Sequence, residues 1–306
     1  MATTVTAPVT NSIALAQKYL PMLDELYKIN SRTAILDSAN DRVNFIGANT
    51  VQIYNIDPVG MGNYSRNSGF TPGDVTGTWQ NYVLNTDRGR SYMVDALDNE
   101  ESLGMAFGGL LSEVERQHVI PEVDAFRFAA YAAGANASCT ASAAISTGSA
   151  AVAAIDAATV TLDNFEVPYE GRILFVSPSL YGYLKAGITR MVMNRDGDVN
   201  YNVDMYNDMQ VITVPQGRFV TAIDLAAPTA ANAAGGYSKN ASAYDINFMI
   251  VHPTAVMQVM KHYAPRIFSP QVNQEADAWK LNMRFAHGAW VLTHKNTGIY
   301  VHTSTT

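Results

Sequence analysis

The strongest constraint on the fold is one long helical pattern in the first half of the chain. Asp98 is followed three residues later by Glu101, a capping-box arrangement that marks a helix start. Apolar residues then recur at helical spacing, at Leu103, Phe107, Leu110, Leu111, Val114, Val123, Phe126 and Ala130. At about 1.5 Å per residue, a helix over 99–134 would span roughly 50 Å, so the body that it crosses must be flat or elongated. Pro121 should kink this helix or divide it into two antiparallel helices.

A second feature is a long connection between two segments of β character. Val51 and Ile53 alternate with Gln52 and Tyr54 on the first segment, and the second runs over about 78–95. The roughly 20 residues between them carry turn residues and no periodic apolar pattern, which is unusual inside a compact domain. We therefore predict a two-stranded hairpin with a long tip that projects from the body.

The remaining patterns predict a sheet covered by helices, so the fold class is α+β. Two similar segments, Ile173–Gly187 and Phe248–His262, each combine a short apolar run, a proline and a helical pattern. A third apolar run covers Val211–Val214. The segments Ala289–His294 and Ile299–Thr303 flank a Lys-Asn-Thr-Gly turn and predict a C-terminal hairpin.

Three further segments complete the organisation of the chain. An extended arm is followed by a predicted helix over Ser12–Ile29. The alanine-rich segments Ala129–Ala158 and Leu225–Ala243 are interpreted as low-complexity surface insertions, the first joined to a small helix at Ala150–Asp163.

The charge content favours a surface that packs against other proteins. Charged residues make up 15% of the 306 residues, against roughly 25% in typical soluble domains, and the cores of protein interfaces are depleted in charge. The 20 basic and 27 acidic residues give a net charge of −7, which excludes a chain-wide basic surface for phosphate backbones. The single cysteine, Cys139, cannot form an intrachain disulfide. The sequence shows neither a secretory signal nor an apolar run of membrane-spanning length.

Signatures of catalysis and of cofactor binding are missing from the sequence. GxxxxGK[ST], GxGxxG and GxSxG do not occur, and the six histidines form no HExxH motif or paired Cys/His spacing. The turn at Asp196–Asn200 lacks the glycine and glutamate of a calcium loop. An enzyme that binds an anion at the helix starts near Pro178 and Pro253 is one hypothesis, but no nucleophile or acid–base pair accompanies them. We expect no catalytic residues, no cofactor and no metal.

Charged residues near the hairpin are candidates for contacts with a neighbouring chain. The cluster Asp87-Arg88-Gly89-Arg90 is followed by Asp95, and the planar fork of arginine suits bidentate contacts. Replacing both arginines by alanine should then impair assembly and leave the monomer folded. The full candidate set is Arg66, Trp79, Asp87, Arg88, Arg90, Asp95, Glu101, Glu115 and Arg116.

Charged residues also occur at intervals along the predicted long helix, and we interpret them as a solvated or interface-lining face. They are Glu113, Glu115, Arg116, Glu122, Asp124 and Arg127.

Four segments carry a resemblance to a known family. They are Thr86–Ser102 (TDRGRSYMVDALDNEES), Val119–Ala129 (VIPEVDAFRFA), Val167–Leu184 (VPYEGRILFVSPSLYGYL) and Met249–Val259 (MIVHPTAVMQV). Their order, with an arm before them and strands after them, resembles the major capsid protein of tailed bacteriophages, which has the Hong Kong 97-like fold. The similarity extends over nearly the whole chain.

The resemblance implies a division of the chain and a structural function. The parts would be an N-terminal arm (1–47), an E-loop (48–95), the spine helix of a peripheral domain (96–135), an α/β axial domain (136–265) and return strands of the peripheral domain (266–306). Such proteins assemble in the host cytoplasm as hexamers and pentamers into an icosahedral virion shell that encloses double-stranded DNA without sequence-specific binding. Scaffolding, portal and decoration proteins are the implied partners. An encapsulin-like shell that encloses a cargo enzyme is the alternative.

Two departures from the family pattern bear on how a shell would hold together. Some relatives join an E-loop lysine to an asparagine of a neighbour, but Gly47–Asp95 contains no lysine, so this bond cannot form here. The 47 residues before the loop are too few for a fused scaffolding domain, so we expect a separate scaffolding protein unless a preceding segment was removed.

Overall fold

The computed structural model describes most of the chain from Ser31 onwards. The described residues are 31–39, 44–46, 50–67, 69–84, 86–96, 112–188, 192–193, 199–200, 203–226, 235–263 and 265–305. The predicted helix over 12–29 and the predicted capping box at Asp98 and Glu101 lie outside them.

Strands and helices are both prominent in the described residues, and the α+β class is confirmed. The strands are β1 (Asn44–Ile46), β2 (Thr50–Pro58), β3 (Val75–Val83), β4 (Thr86–Asp95), β5 (Thr140–Ser142), β6 (Ile173–Val176), β7 (Val192–Met193), β8 (Val199–Asn200), β9 (Met205–Tyr206), β10 (Met209–Thr213), β11 (Ile223–Ala226), β12 (Gly236–Lys239), β13 (Ile246–Val251), β14 (Val256–Tyr263), β15 (Arg266–Phe268), β16 (Ala278–Val291) and β17 (Ile299–Thr303). The α-helices are α1 (Ile120–Gly134), α2 (Gly148–Asn164) and α3 (Pro178–Gly187). A π-helical turn, Glu115–Val119, leads into α1, and 3₁₀ turns cover Ala34–Ala39, Ala137–Cys139, Gln216–Arg218, Pro253–Ala255 and Thr293–Gly298.

A six-stranded sheet forms the larger core, with the order β5-β17-β13-β6-β10-β9. All four residues of β6 are buried, as expected for a strand that is covered on both faces. Leu174 and Val176 pack with α2 and α3, whereas Ile173 and Phe175 pack with α1. The alternation of strand side chains therefore divides this core into two layers.

A second sheet forms around β16, the longest strand. Residues 278–287 of β16 pair with β4, and its other edge pairs with β14 and β15. Leu281, Met283 and Phe285 of β16 pack against Val119 and Val123 of the helical segment.

One continuous helical segment connects the two sheets. Its first half packs on the second sheet, and Phe128 and Tyr131 near its other end pack on the six-stranded sheet. From 112 to 134 it spans roughly 34 Å at about 1.5 Å per residue. The predicted long helix across an extended body is thus found over its described part.

The expected break at Pro121 does not occur. Val119 and Ile120 keep right-handed helical backbone angles, so the helical segment continues through Pro121 although the proline has no N–H to donate. The wider π-helical turn over 115–119 precedes it directly and accommodates the ring. The alternative of two antiparallel helices meeting at Pro121 is therefore wrong.

The hairpin exists, but its second arm is shorter than predicted. Strands β2 and β3 pair antiparallel from Thr50↔Val83 to Pro58↔Val75. Residues 86–95, predicted as part of the same arm, form β4 and pair with β16 instead. The division falls beside Leu84, which is buried against Met257 and Val259 of β14.

The alanine-rich segment over 129–158 forms regular elements that contribute to the core, although residues 142–144 and 146–147 are exposed. It contains β5, which pairs with β17, and more than half of α2, whose Ala151 and Ala158 are fully buried. Small side chains are needed here because α2 and α3 cross closely: a Cβ added at Gly148 would lie 2.6 Å from the backbone N of Gly187. The second alanine-rich segment begins in β11 and contains β12, and these two strands pair as a two-stranded ribbon.

This crossing gives a test that uses two glycines. Gly148→Ala is expected to lower the free energy of unfolding by about 1–3 kcal/mol, because overpacking displaces the two helices. Gly182→Ala, in the same helix pair, has nothing within 4 Å of the added Cβ and should raise stability by up to about 1 kcal/mol. Urea denaturation measures the free energy of unfolding of both variants. Equal effects of the two substitutions would contradict the close approach of α2 and α3 at Gly148.

Two predictions for the C-terminal third are wrong. The segment after Pro253 was predicted as a helix, but it forms β14, because Val256 and Val259 are β-branched and this strand buries both faces. The segments over 289–294 and 299–303 do not form a hairpin. Strand β16 belongs to the second sheet and β17 to the six-stranded sheet, joined by the 3₁₀ turn Thr293–Gly298.

Candidate assembly surface

The hairpin of β2 and β3 is a long, ordered projection. Each strand has nine residues and is about 30 Å long at ~3.3 Å per residue. The tip, residues 59–74, has bonds of its own: Ser65 and Gly69 form a bridge, and the Thr71 hydroxyl donates to the Asn63 carbonyl at 3.1 Å. The tip is therefore an ordered surface.

Large apolar side chains cover this projection and are exposed. Met61 is fully exposed and Phe70 is 87% exposed. The other members of this exposed set are Tyr54, Ile56, Val59, Tyr64, Val75, Trp79 and Val83. Soluble monomers rarely expose so many large apolar groups together, and such a surface marks an interaction site. The sequence signal that could have identified them is the presence of large apolar residues in a segment without a periodic core pattern.

The base of the hairpin is fixed to the body. Val51 and Leu84 are buried with Met257 and Val259, and the Tyr82 ring lies 5.8 Å from the Trp290 ring. The exposed tip is thus carried on a rigid support at a defined place.

Arg88 was predicted to contact a neighbouring chain, but it binds within its own chain. Its guanidinium forms an ion pair with Glu122 of α1, with Nε to Oε1 at 2.7 Å, and donates to the carbonyls of Ala226 and Gly236 at 3.1 Å each. It connects β4, α1 and the β11–β12 ribbon. Replacing Arg88 would disturb the monomer, so the double arginine variant cannot separate assembly from folding, and Arg90 alone is the better test.

The other members of the Asp87–Asp95 cluster are exposed. Asp87 forms an ion pair with Arg284 of β16 at 2.6 Å, and the Arg90 guanidinium lies 5.6 Å from the centre of the Tyr92 ring. Burial raises the pKa of the Tyr92 hydroxyl. Asp95 ends β4 on the surface. Asp87, Arg90 and Asp95 therefore lie on the surface of the chain.

The remaining candidates are divided between surface and interior. Arg66 at the tip and Trp79 on β3 are exposed, the latter with its ring 4.9 Å from that of Tyr54. Arg116 is exposed and pairs with Glu113 at 2.5 Å. Glu115 is fully buried and accepts a hydrogen bond from the Tyr263 hydroxyl, so it is a core residue. Glu101 lies outside the described residues.

The charged helix face was misinterpreted, because most of it is interior. Glu122, Asp124 and Arg127 are buried. Asp124 accepts hydrogen bonds from the Ser31 and Thr33 hydroxyls, both at 2.7 Å, and from the backbone N–H of Arg32 at 3.0 Å. These residues bind the segment over 31–37 to α1.

A cleft of about 380 Å³ lies between β4 and the helical segment. Its apolar lining consists of Tyr92, Val114, Val119, Met283 and Phe285. Asp87, Arg88, Arg90, His118 and Glu122 supply the charged and polar lining. Both acids of the cleft are paired, Glu122 with Arg88 and Asp87 with Arg284, and no nucleophile with a base lies among the lining residues.

Metal or redox chemistry finds no support in the described residues. They contain no group of three His, Cys, Asp or Glu side chains that could hold a metal ion. Cys139 is buried, and burial raises the pKa of its thiol. Burial likewise lowers the pKa of His252 and of His302.

No known protein-family model matches the chain, and no curated protein does. Solved structures do match. A structure titled as the asymmetric unit of the bacteriophage PhiM1 mature capsid matches with a TM-score of 0.59 and 15% identity, over 87% of this chain and 84% of that chain. One of Microbacterium phage Oxtober96 matches with a TM-score of 0.60 and 13% identity, over 90% and 91%.

The chain has the Hong Kong 97-like phage capsid fold. A crystal structure of a virus-like particle from Pyrococcus furiosus matches too, with a TM-score of 0.54 and 10% identity, over 94% of this chain and 98% of that chain. Because the sequence identities are 15% or lower, the likeness to these structures shows the fold alone. No helix in the described parts of this capsid fold has the length and apolar character of a membrane span.

Proposed function

We propose that this chain is a structural shell protein, the major capsid protein of a tailed bacteriophage, and that it is not an enzyme. Copies assemble as hexamers and pentamers into an icosahedral shell that encloses double-stranded DNA. The observation that carries the proposal is the projecting hairpin, whose large apolar side chains have no cover within the described chain. The capsid fold supports it, since the matched structures include a phage capsid.

The proposal assigns parts of the chain to parts of the shell. The hairpin within 48–95 acts as the E-loop, the helix within 96–135 as the spine, and 136–265 as the axial domain. The assignment of 266–306 to the peripheral domain applies best to β16, since β17 lies in the six-stranded sheet. Without a lysine between Gly47 and Asp95, the contacts between copies are non-covalent. A separate scaffolding protein, a portal and decoration proteins are the proposed partners in the virion.

The hairpin gives a direct test of this function. The variant Met61→Ser with Phe70→Ser removes two exposed apolar groups and no core contact, so the monomer should keep its circular dichroism and melting temperature. Shell yield should fall at least about tenfold, since the two side chains would bury apolar area worth a few kcal/mol. Sedimentation through a sucrose gradient measures the assembled fraction.

A matched control replaces two apolar side chains that are exposed elsewhere. Val160→Ser with Met205→Ser removes residues that are 57% and 63% exposed on α2 and β9, and shells should form as in the unmodified chain. Unimpaired assembly of the hairpin variant would contradict the proposal. The encapsulin-like alternative is separated by the neighbouring genes: terminase and portal genes support the virion, and a cargo-enzyme gene supports the compartment.

A further inference from the structure

We propose that the cleft between β4 and the helical segment binds a small amphipathic anion, an apolar chain that carries one carboxylate. The site belongs to the single folded chain, so it goes beyond the shell function and does not depend on it. Three features carry the inference: the elongated shape of the cleft, its apolar floor, and an excess of basic groups around it.

Two rows of side chains form the rims of the cleft. Arg88, Arg90 and Tyr92 alternate along β4 and therefore lie on one side of the strand. The opposite rim consists of residues four apart on the helical segment, which are Val114, His118 and Glu122. The ion pair between Arg88 and Glu122, at 2.7 Å, joins the two rims at one end. From Arg88 to Tyr92 the strand rises about 13 Å at ~3.3 Å per residue, so the cleft is long and closed at one end.

The floor of the cleft is apolar. Met283 and Phe285 of β16 are the neighbours of Arg90 and Arg88 in the sheet, and both are buried, as is Val119 of the helical segment. The volume of about 380 Å³ is at the lower end of the ~300–1,000 Å³ typical of ligand pockets. This combination suits the apolar chain of a small ligand, which would bury apolar area on this floor.

Basic groups exceed acidic groups around the cleft. Its two carboxylates each bind an arginine, Glu122 to Arg88 at 2.7 Å and Asp87 to Arg284 at 2.6 Å. With Arg90, three arginines stand against two carboxylates. The charge of the cleft therefore favours an anion over a cation.

Arg90 and His118 define where the anionic group of the ligand lies. They hold the middle positions of the two rims, and both are exposed. The Arg90 guanidinium lies 5.6 Å from the centre of the Tyr92 ring, so the basic group stands beside apolar lining. A carboxylate at this level receives charge-assisted hydrogen bonds from arginine while its chain lies on the floor.

Calorimetric titration of the dispersed full-length chain with decanoate tests the site. We expect one decanoate per chain. Decyltrimethylammonium has the same apolar chain with a positive head, and acetate has the carboxylate without the chain. Each should bind at least about tenfold more weakly than decanoate, because each lacks one of the two complementary parts.

The double variant Arg90→Gln with His118→Gln removes the two exposed basic groups and keeps the Arg88–Glu122 pair. Its affinity for decanoate should fall at least about tenfold, because the charge-assisted hydrogen bonds are lost. The matched control, Arg266→Gln with His294→Gln, also removes one exposed arginine and one exposed histidine, but outside the cleft. Its affinity should equal that of the unmodified chain, and circular dichroism checks that both variants are folded.

Photolabelling locates the ligand directly. A decanoate with a diazirine at the end of its chain should label peptides that contain Val114 or Met283, as read by mass spectrometry. The competing apolar site is the hairpin, where Met61 and Phe70 are exposed. Labels confined to the hairpin, no binding of decanoate, or equal losses of affinity in the two double variants would overturn the inference. None of these outcomes bears on the shell function, which the assembly assay tests separately.

Discussion

Asp124→Asn is expected to lower the free energy of unfolding by about 3–5 kcal/mol, one of the two largest effects of any substitution considered. The carboxylate is fully buried on α1 and accepts hydrogen bonds from the Ser31 and Thr33 hydroxyls and from the Arg32 backbone. It also lies 3.4 Å from Nη1 of Arg218. An amide can accept at one atom only, so at least one buried donor would lose its acceptor and Arg218 its counter-charge.

The loss should spread through a polar network around the segment over 31–37. The Arg127 guanidinium donates to the Thr33 hydroxyl at 2.8 Å, and the Gln258 amide donates to the Thr33 carbonyl at 2.8 Å. The Tyr131 hydroxyl donates to the Gln258 side chain at 2.7 Å. Release of Thr33 would therefore disturb helix α1 and strand β14 together.

Urea denaturation of the dispersed chain measures the effect. The control is Asp245→Asn, which removes a carboxylate from an exposed pair with Lys239 and should cost less than about 1 kcal/mol. An Asp124→Asn chain as stable as this control would contradict the role given to the network.

His287→Phe is expected to stabilise the chain, and more so as the pH falls. The imidazole is fully buried on β16 against the rings of Phe126, at 4.8 Å, and Phe285, at 5.6 Å. Within the described residues neither ring nitrogen has a hydrogen-bond partner. Burial, with the nearby cations of Arg127 and Arg88, lowers the pKa of His287 to about 3.

The free energy of unfolding falls as the pH is lowered, because the pKa of His287 is lower in the folded chain than in the unfolded chain. As the pH falls below about 6.5, the unfolded chain binds a proton at His287 and the folded chain does not. Stability is then lost between about pH 6.5 and pH 3, at up to about 1.4 kcal/mol per pH unit. Phenylalanine removes this loss, so its advantage should grow by about 2 kcal/mol between pH 6.5 and pH 4.5.

Thermal and urea denaturation at several pH values measure this advantage. His118→Gln is the matched control, because it replaces a histidine that is exposed and not buried. A pH profile of His287→Phe parallel to that of the unmodified chain would show that His287 is not the buried neutral group described.

The sequence predicted best those elements whose local signals agree with their tertiary surroundings. Such elements have both an apolar pattern and a turn or proline residue at their ends. They are the strand Ile173–Val176, the helix that starts at Pro178 and the hairpin pairing around Val51. The prediction was wrong where the spacing of apolar residues fits both a helix and a strand. Val256 and Met260 fit one face of a helix, but this segment is a strand.

The charged helix residues show why the site was only partly predictable. Asp124 and Arg127 resemble a solvated face in sequence, and their burial depends on partners about 90 residues earlier in the chain. Arg88 likewise gains its partners from α1 and from the β11–β12 ribbon. Such pairings are set by the tertiary fold, and no local pattern reports them. The exposed hairpin was predictable, because its glycine-rich, non-periodic tip is a local property.

Electron cryomicroscopy of the purified full-length chain under assembly conditions tests the central claim most directly. The account predicts closed shells built of sixfold and fivefold clusters, with each hairpin tip lying against a neighbouring copy. A chain that remains monomeric under all assembly conditions, with or without a scaffolding protein, or shells in which the hairpins touch no neighbour, would contradict it.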